Sequence, residues 1–301
     1  MKQIPYQIQA SDISTRNKNQ KIPYTIIQTM KTNNVPENMY NAVMSWVNKN
    51  PEYDYIFFDD ERCKQFLKDE YNQKYLHIFN MLGNGATKAD FFRWCYLYKK
   101  GGIYLDIDMV CIKPLREYIT DDLSFVSRKK PFHSKRGENI KKTYDENHTD
   151  FIVTNKKSSF NTRASQINHT ILATIPYIEI LKKSIECAYQ NILNCYNNKQ
   201  DYKYPFYLCG PGLLGVTFNK LLNRSDYLTL ENIDEGYFLD GKNKNKFKLI
   251  RDDKARTLFN PKYKEYKKEY KKTTKSKRYW STFAFNYKKA KEYIIKNNIT
   301  I

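Results

Sequence analysis

The stretch Gly101-Gly102-Ile103-Tyr104-Leu105-Asp106-Ile107-Asp108 decides the fold of this chain. Two glycines can end a helix, because glycine adopts the left-handed backbone conformation without a steric penalty. Three apolar residues then form a short strand, and two aspartates separated by one residue follow it. The stretch therefore predicts a helix, a turn, a buried strand and a pair of carboxylates at the carboxyl end of that strand.

The helix before the glycines carries two further charged candidates. Its predicted N-cap is Thr87, with Asp90 as the acidic residue three positions on. Asp90 and Arg93 are three residues apart and therefore face the same side of the helix. One interpretation is a surface ion pair, which contributes little. The other places Asp90 on a ribose or sugar hydroxyl and Arg93 on phosphates or on the sugar.

Strands and helices alternate along the rest of the chain, and this order predicts an α/β domain with a mostly parallel central sheet and flanking helices. Ligands of such sheets bind at the carboxyl ends of the strands, where Asp106 and Asp108 fall. Residues 1–20 are polar and aperiodic and are predicted to be an N-terminal extension. Residues 21–301 are predicted to form a single domain with basic insertions near 127–160 and 241–278.

The basic residues are concentrated in those two insertions. The formal net charge of the chain is +20, and residues 241–278 alone contain 13 Lys and 3 Arg against 4 acidic residues. This segment is predicted to be too charged to enter the core. It could be a mobile lid, a site for an anionic acceptor, or a solvated surface, and it could contact an anionic membrane weakly.

The cysteines and the hydropathy pattern bear on location. The six cysteines form no CxxC pair and do not cluster with the four histidines, which argues against structural zinc and predicts free thiols in a reducing compartment. No run reaches ~18 consecutive apolar residues, and the first residues lack an apolar signal core. These features predict a cytoplasmic location (the host cytoplasm if the source is a virus) and no transmembrane segment.

Carboxylates at a strand end are suitable ligands for a hard cation. Mn²⁺, or Mg²⁺, binds such oxygens, keeps several waters and takes its remaining ligands from substrate phosphates. A nucleotide-sugar would use that cation, because its diphosphate leaves with developing negative charge that a metal neutralises. An isolated Asp-x-Asp pair is nevertheless common by chance, so its surroundings decide the interpretation.

Those surroundings resemble glycosyltransferase family 32, the DXD-containing sugar transferases, a group that includes the yeast initiation-specific α-1,6-mannosyltransferase and, remotely, the glucosylating clostridial toxins. The family pattern runs Ser-Asp, two residues, Arg, an apolar helix and Gly-Gly-x-Tyr-x-Asp-x-Asp. This chain has Ala89-Asp90, Arg93 and the stretch 101–108. Weaker similarity extends over about residues 22–286, through Ile22-Pro23, Gln28-Thr29, 50–53, Asn168, Gly210-Pro211 and 279–281.

The resemblance implies a GT-A type nucleotide-diphospho-sugar transferase fold and a retaining hexosyltransferase. Its donor would be a UDP- or GDP-sugar, its acceptor a hydroxyl of a glycan, lipid or protein, and its cofactor Mn²⁺ (or Mg²⁺). The expected catalytic residues are Asp106, Asp108 and Arg93, with Asp106 and Asp108 on the metal. The expected donor-binding residues are Asp90, Arg93, Gln28, Thr29, Tyr104, Asp106, Asn168, Gly210, Arg278, Trp280 and Ser281.

The resemblance also implies how these residues share the reaction. Asp108 would bind the metal directly, and Asp106 would contact the metal or the donor ribose. Arg278, Trp280 and Ser281 would close over the diphosphate, with Arg278 standing near the place where family members often have a histidine. Since the sequence offers no convincing nucleophile, transfer is expected on one face of the sugar through an oxocarbenium-like state.

Three other interpretations remain open at this point. Haloacid-dehalogenase-like phosphatases also use Asp-x-Asp-x-Val, which Asp106–Val110 fits, together with a late strand ending in acids such as 249–253. A nucleic-acid-binding protein could use the basic segment 241–278 with its interleaved tyrosines. No known nucleic-acid motif is present, so no nucleic-acid partner is expected. A degenerate transferase that only binds its ligand is the third.

Overall fold

The computed structural model describes residues 1–129, 166–202, 206, 208–223, 233–261 and 283–300. Two short 3₁₀ helices, Ile13–Thr15 and Leu115–Glu117, accompany the following elements. The strands are β1 Lys2–Gln3, β2 Gln7–Ile8, β3 Thr25–Thr29, β4 Asn34–Val35, β5 Asp54–Phe58, β6 Gly102–Leu105, β7 Met109–Cys111, β8 Leu123–Lys129, β9 Ile167–Thr174, β10 Glu235–Asp240, β11 Asn243–Arg251 and β12 Phe259–Pro261. The helices are α1 Glu37–Lys49, α2 Asp60–Glu70, α3 Gln73–Met81, α4 Gly85–Lys100, α5 Glu179–Asn197, α6 Pro211–Leu221, α7 Asp252–Leu258 and α8 Tyr287–Lys296.

Within the described ranges, eight strands form a central sheet in the order β10-β11-β8-β9-β6-β3-β5-β2. Strands β3, β5, β6, β8 and β11 run in one direction, and β2, β9 and β10 run against them. The predicted α/β class with a mostly parallel central sheet and flanking helices is confirmed. The sheet is mixed because β9 lies antiparallel between β6 and β8, and so the start of β9 shares an edge with the end of β6.

Both faces of the sheet are covered by packed side chains. In β3, Ile27 packs with α4 and α5 residues on one face, whereas its neighbour Ile26 packs with α1 residues on the other. The same alternation occurs in β6, where Tyr104 and Ile103 point to opposite cores. Strands buried on both faces contain continuous apolar runs rather than alternating ones, which is the pattern these segments show.

Helix α4 begins earlier than predicted. Asn84, not Thr87, is its N-cap, and the Asn84 Oδ1 accepts the Thr87 backbone N–H at 2.9 Å. The Thr87 cap is therefore wrong, because Thr87 is already inside the first turn and its hydroxyl donates to Asn84 as well. At the other end the prediction holds: Gly101 has φ +66°, and an added Cβ there would lie 2.9 Å from the Thr174 carbonyl oxygen.

The first twenty residues, predicted to be an extension, pack against the domain. Strand β2 pairs with β5 at the edge of the central sheet, and Ile4 is fully buried. The backbone N–H of Ala10 donates to Asp54 Oδ1 at 2.9 Å. Local composition did not indicate these contacts, since a two-residue edge strand leaves almost no periodic pattern.

The prediction that residues 241–278 stay out of the core is wrong for the first part of that segment. Residues 243–251 are strand β11, which pairs with β8 inside the central sheet. Phe247 and Leu249 are buried, while Lys246 and Lys248 alternate with them and ion-pair with Asp122 and Glu235. A mobile lid cannot include β11, because a strand between two others is held on both sides. Residues 262–278, and 130–160 of the other basic insertion, lie outside the described residues.

The packing between the start of α4 and the segment after Phe283 supplies a stability test. A Cβ at Gly83 would lie 2.1 Å from the Phe283 carbonyl oxygen, whereas one at Gly85 meets nothing within 4 Å. We expect Gly83→Ala to lower the free energy of unfolding by about 2 kcal/mol, as overpacking does. The control Gly85→Ala should be neutral or stabilising by up to about 1 kcal/mol, since alanine favours the helix.

Urea unfolding of both variants measures the difference. Equal midpoints for Gly83→Ala and Gly85→Ala would show that the 283–285 segment does not hold its place against α4.

Candidate active site

Asp106 and Asp108 follow the carboxyl end of β6, an inner strand of the central sheet. The Asp106 N–H donates to the Thr170 carbonyl on β9 at 2.9 Å, and its own carbonyl accepts from Gln28 Nε2 at 3.2 Å. The chain then turns, with the Met109 N–H donating back to the Asp106 carbonyl at 3.2 Å. On the far side of the turn Trp46 Nε1 donates to the Met109 carbonyl at 2.7 Å. Strands β3 and β9 and helix α1 thus hold the Asp pair.

A buried guanidinium joins the two halves of the site. Arg93 is only 4% exposed, and it ion-pairs with Asp90 at 2.9 Å and with Asp106 at 3.2 Å. Its Nε donates to the Ala89 carbonyl and its Nη1 to the His169 carbonyl, while its Cζ lies 4.0 Å from the centroid of the Tyr104 ring. Asp90 and Arg93 therefore share a helix face as predicted, but the surface ion-pair interpretation is wrong.

Each nitrogen of the Arg93 guanidinium therefore lies beside a carboxylate or a carbonyl oxygen. Arg93 accordingly organises the carboxylates of the site.

His169 is a site residue that the sequence analysis missed. It is buried at the start of β9, its Nε2 lies 3.1 Å from Asp90 Oδ1, and its Nδ1 accepts from Trp94 Nε1 at 3.1 Å. Burial lowers the pKa of His169, although the charge of Asp90 opposes the shift. Its position next to Asn168 was the available signal, but neither residue shows by sequence that it faces α4.

The two aspartates have different electrostatic surroundings. Burial raises the pKa of Asp106, although the charge of Arg93 opposes the shift. Burial, followed by repulsion from the Asp106 carboxylate, raises the pKa of Asp108 to about 7. Among the described residues no cationic side chain ion-pairs with Asp108. A buried carboxylate that lies beside a second carboxylate is difficult to ionise. A divalent cation would stabilise its charged form.

This donor set fits Mn²⁺ or Mg²⁺ with a substrate. In the described part of the chain no group of three or more His, Cys, Asp or Glu side chains is placed to hold a metal. Two aspartate oxygens would leave the remaining ligand positions to water and to substrate phosphates, which is the usual arrangement for these ions at phosphate sites. Asp106 and Asp108 are the residues that would hold the cation.

Several of the expected donor-binding residues form hydrogen bonds at the strand ends next to the Asp pair. Gln28 is fully buried, and its Oε1 accepts from the Tyr55 hydroxyl at 3.1 Å. The hydroxyls of Thr29 and Tyr104 lie 3.4 Å apart, and Asn168 Oδ1 accepts the Thr170 N–H at 3.2 Å. These side chains fix the shape of the strand ends.

Of the remaining expected residues, only Gly210 lies within the described residues, close to the start of α4. Gly210 caps α6, and the thiol of its neighbour Cys209 donates to the Thr87 carbonyl at 3.6 Å. Arg278, Trp280 and Ser281 lie outside the described residues. Just after them, the Ala284 carbonyl accepts the Gly83 N–H at 2.8 Å.

The phosphatase alternative requires the late acids to reach Asp106, and the sheet separates them. Strand β11, which ends before Asp252, is three strands away from β6. At about 4.8 Å per strand this is about 14 Å. Asp252 ion-pairs instead with the buried Arg128 at the end of β8. The order of strands therefore disfavours a haloacid-dehalogenase-like site.

No helix within the described ranges has the length and apolarity needed to span a bilayer.

The raised pKa of Asp108 predicts a pH-dependent stability. Asp108 in the folded protein keeps its proton up to about pH 7, whereas the unfolded chain loses it near the ordinary value of about 3.9. The folded state binds more protons in that window, so the free energy of unfolding should fall as pH rises from about 4 to about 7 and then level off. Asp108→Asn should reduce this fall.

Calorimetric melting in the presence of a chelator, across that pH range, measures the effect. The same decline in Tm for wild type and Asp108→Asn would contradict the raised pKa.

Comparisons with known proteins find similarity in the part of the chain that carries this candidate site. Residues 36–126 match the family model described as a glycosyltransferase sugar-binding region containing the DXD motif. The inositol phosphoceramide mannosyltransferase 3 of Schizosaccharomyces pombe is 36% identical over 105 residues, which are 34% of this chain and 29% of that protein. The initiation-specific alpha-1,6-mannosyltransferase of Candida albicans is 29% identical over 119 residues, 38% of this chain and 31% of that protein.

Among solved structures, the PaToxG glycosyltransferase is similar with a TM-score of 0.44 and 15% identity, covering 67% of this chain and 69% of that chain. The chain spans about three tenths of the length of the two mannosyltransferases it matches. The matched residues, 36–126, include Asp90, Arg93, Asp106 and Asp108. This part of the chain, which carries the candidate site, is therefore similar to the DXD-containing sugar-binding region of glycosyltransferases.

Proposed function

We propose that the chain is a metal-dependent, retaining hexosyltransferase that takes a hexose from a nucleotide-diphospho-sugar. The observation that carries this proposal is the pair Asp106 and Asp108 at the sheet edge. One member is neutralised by Arg93, and the other has its pKa raised to about 7 with no cationic partner among the described residues. Two neighbouring carboxylates, of which only one is paired with a cationic side chain, favour the binding of a divalent cation together with a diphosphate.

The cation and the residues of the site have different roles in the proposed reaction. Mn²⁺ or Mg²⁺, when bound, supplies positive charge for the leaving diphosphate. Asp108 and Asp106 would hold the cation, and the positive charge of Arg93 would lie beside the bound donor. Asp90 can accept a hydroxyl of the donor ribose or sugar. Pre-placed charges of this kind stabilise developing charge without reorganising during the reaction.

Transfer on one face of the sugar is the preferred route to retention. A double displacement needs a carboxylate free to form a covalent bond with the sugar. Asp90 and Asp106 both ion-pair with the buried Arg93, which lowers the nucleophilicity of their carboxylates, and Asp106 and Asp108 are assigned to the cation. This arrangement supports an oxocarbenium-like state attacked by the acceptor hydroxyl on the leaving-group side.

The acceptor and the location belong to the same proposal. Both relatives compared above are named mannosyltransferases, and one is named for inositol phosphoceramide. We therefore place mannose first among the hexoses, and a glycan or lipid hydroxyl first among the acceptors. A cytoplasmic location is supported by the six cysteines, which are all free thiols.

The test is hydrolysis or transfer of a panel of UDP- and GDP-hexoses. We expect turnover with Mn²⁺, none with chelator, and recovery on adding Mn²⁺ back. Asp108→Asn should lose at least about 100-fold, the order found when one electrostatic group of an active site is removed. The matched control is Asp69→Asn on the exposed side of α2, which should keep full turnover.

Near wild-type turnover by Asp108→Asn, or turnover undiminished by chelator, would refute the metal-dependent assignment. Melting curves of both variants should stay within a few degrees of wild type, which separates a lost reaction from a lost fold.

A further inference from the structure

Two buried side chains, His169 and then Trp94, lie in a row behind the carboxylate of Asp90. Trp94 Nε1 is 3.1 Å from His169 Nδ1, and His169 Nε2 is 3.1 Å from Asp90 Oδ1. Trp94 is fully buried and His169 is 3% exposed. The indole and the imidazole are in ring contact, with their centroids 5.7 Å apart. Helix α4 supplies Trp94 and Asp90, and β9 supplies the histidine between them.

The geometry selects one tautomer of the imidazole. An indole N–H can only donate, so His169 Nδ1 must be the acceptor and carries no proton. Nε2 then carries the proton of the neutral ring and donates it to Asp90 Oδ1. Burial keeps the ring neutral by lowering its pKa. The bond to Asp90 therefore depends on the Trp94 N–H, which excludes the other tautomer.

Asp90 is held through one of its two oxygens. Oδ1 lies 3.1 Å from His169 Nε2 and 2.9 Å from Arg93 Nη2. For Oδ2 the described residues provide no hydrogen-bond partner, and this oxygen reaches solvent although Asp90 as a whole is only 8% exposed. Oδ2 is therefore the oxygen through which Asp90 can contact a ligand. The two contacts on Oδ1 restrain rotation of the carboxylate.

We propose that His169, in the tautomer set by Trp94, is a positioning residue that turns Asp90 Oδ2 toward a hydroxyl of the sugar-nucleotide donor. This role rests on the proposed function. His169 acts through Asp90 and through its backbone carbonyl, which accepts from Arg93. Through these two contacts His169 fixes the positions of Asp90 and Arg93 relative to the start of β9.

Three substitutions separate positioning from simple packing. His169→Gln can still donate to Asp90 through its amide nitrogen, whereas His169→Phe keeps a ring and cannot donate. Trp94→Phe removes only the indole donor and part of its volume. We expect His169→Phe to weaken Mn²⁺-dependent binding of the donor about tenfold or more, the loss associated with a hydrogen bond to a charged group. His169→Gln should recover most of it.

A double-mutant cycle tests whether the effect passes through Asp90. In the Asp90→Ala background, His169→Phe should have little further effect on donor affinity, because the group it positions is gone. The control is His77→Gln on α3, which contacts the Tyr293 hydroxyl away from the site and should leave donor affinity unchanged. Calorimetric titration of the donor found active under the proposed function provides the affinities.

The tautomer has its own spectroscopic readout. The chain has four histidines, so ¹⁵N-labelled His169 can be assigned by loss of its signal in His169→Gln. We expect a neutral ring protonated at Nε2 in wild type, and a loss of that preference in Trp94→Phe. This measurement needs no ligand and is independent of donor binding.

The possible results have distinct meanings. Equal donor affinity in His169→Gln and His169→Phe, full additivity with Asp90→Ala, or a wild-type ring protonated at Nδ1 would each overturn the positioning role. If wild type binds no nucleotide-sugar with Mn²⁺, the proposed function fails first and the positioning role fails with it. Binding by wild type with the wrong pattern among the variants refutes the positioning role alone.

Discussion

The buried charge of Arg93 is the constraint on which the rest of the site depends. A guanidinium removed from water is tolerated only when anions and hydrogen-bond acceptors surround it. Asp90 one turn earlier, Asp106 on β6 and the His169 carbonyl on β9 meet that need. Helix α4 is thereby attached to two neighbouring strands at the edge where their ends meet. The ring of Tyr104 packs against the guanidinium, with its centroid 4.0 Å from the Arg93 Cζ.

One guanidinium among several carboxylates creates an electrostatic asymmetry. Asp90 and Asp106 share the positive charge of Arg93, and Asp108 on the far side of the turn does not ion-pair with it. Repulsion from Asp106 and partial burial then raise the pKa of Asp108 to about 7. The fold thus leaves one acid poorly compensated at its sheet edge. Such an acid costs stability in the free protein and provides affinity for a cation when substrate arrives.

Close backbone packing allows these charges to meet. Gly101 and Gly102 turn the chain from α4 into β6, and side chains there would collide with Thr174 and Thr25. The antiparallel insertion of β9 beside β6 brings the start of one strand to the end of another. Asn168 and His169 reach the site because of that insertion. A purely parallel sheet would have put a strand end, with its following loop, in the same place.

The elements with strong local patterns were readable from the sequence. The glycine pair, the apolar run of β6 and the helical spacing of α4 predicted the helix-to-strand unit and the Asp pair at its end. They did so because capping, burial and side-chain spacing act over a few residues. Asp59 caps α2 by the same local rule, since its carboxylate accepts the Arg62 N–H at 2.9 Å. The wrong cap at Thr87 shows the limit of such signals, since Asn84 was an equally suitable residue three positions earlier.

The sequence by itself determined the chemistry available to this protein: a helix carrying Asp90 and Arg93, and a strand ending in two aspartates. Only the tertiary structure decided that Arg93 is buried, that His169 and Trp94 stand behind Asp90, and that the lysine-rich β11 belongs to the central sheet. These outcomes depend on contacts between residues far apart in the sequence, 76 positions for Arg93 and His169 and 124 positions for Lys246 of β11 and Asp122. Burial and partner choice are set by which strands become neighbours, and strand order is a property of the whole chain that no local pattern encodes.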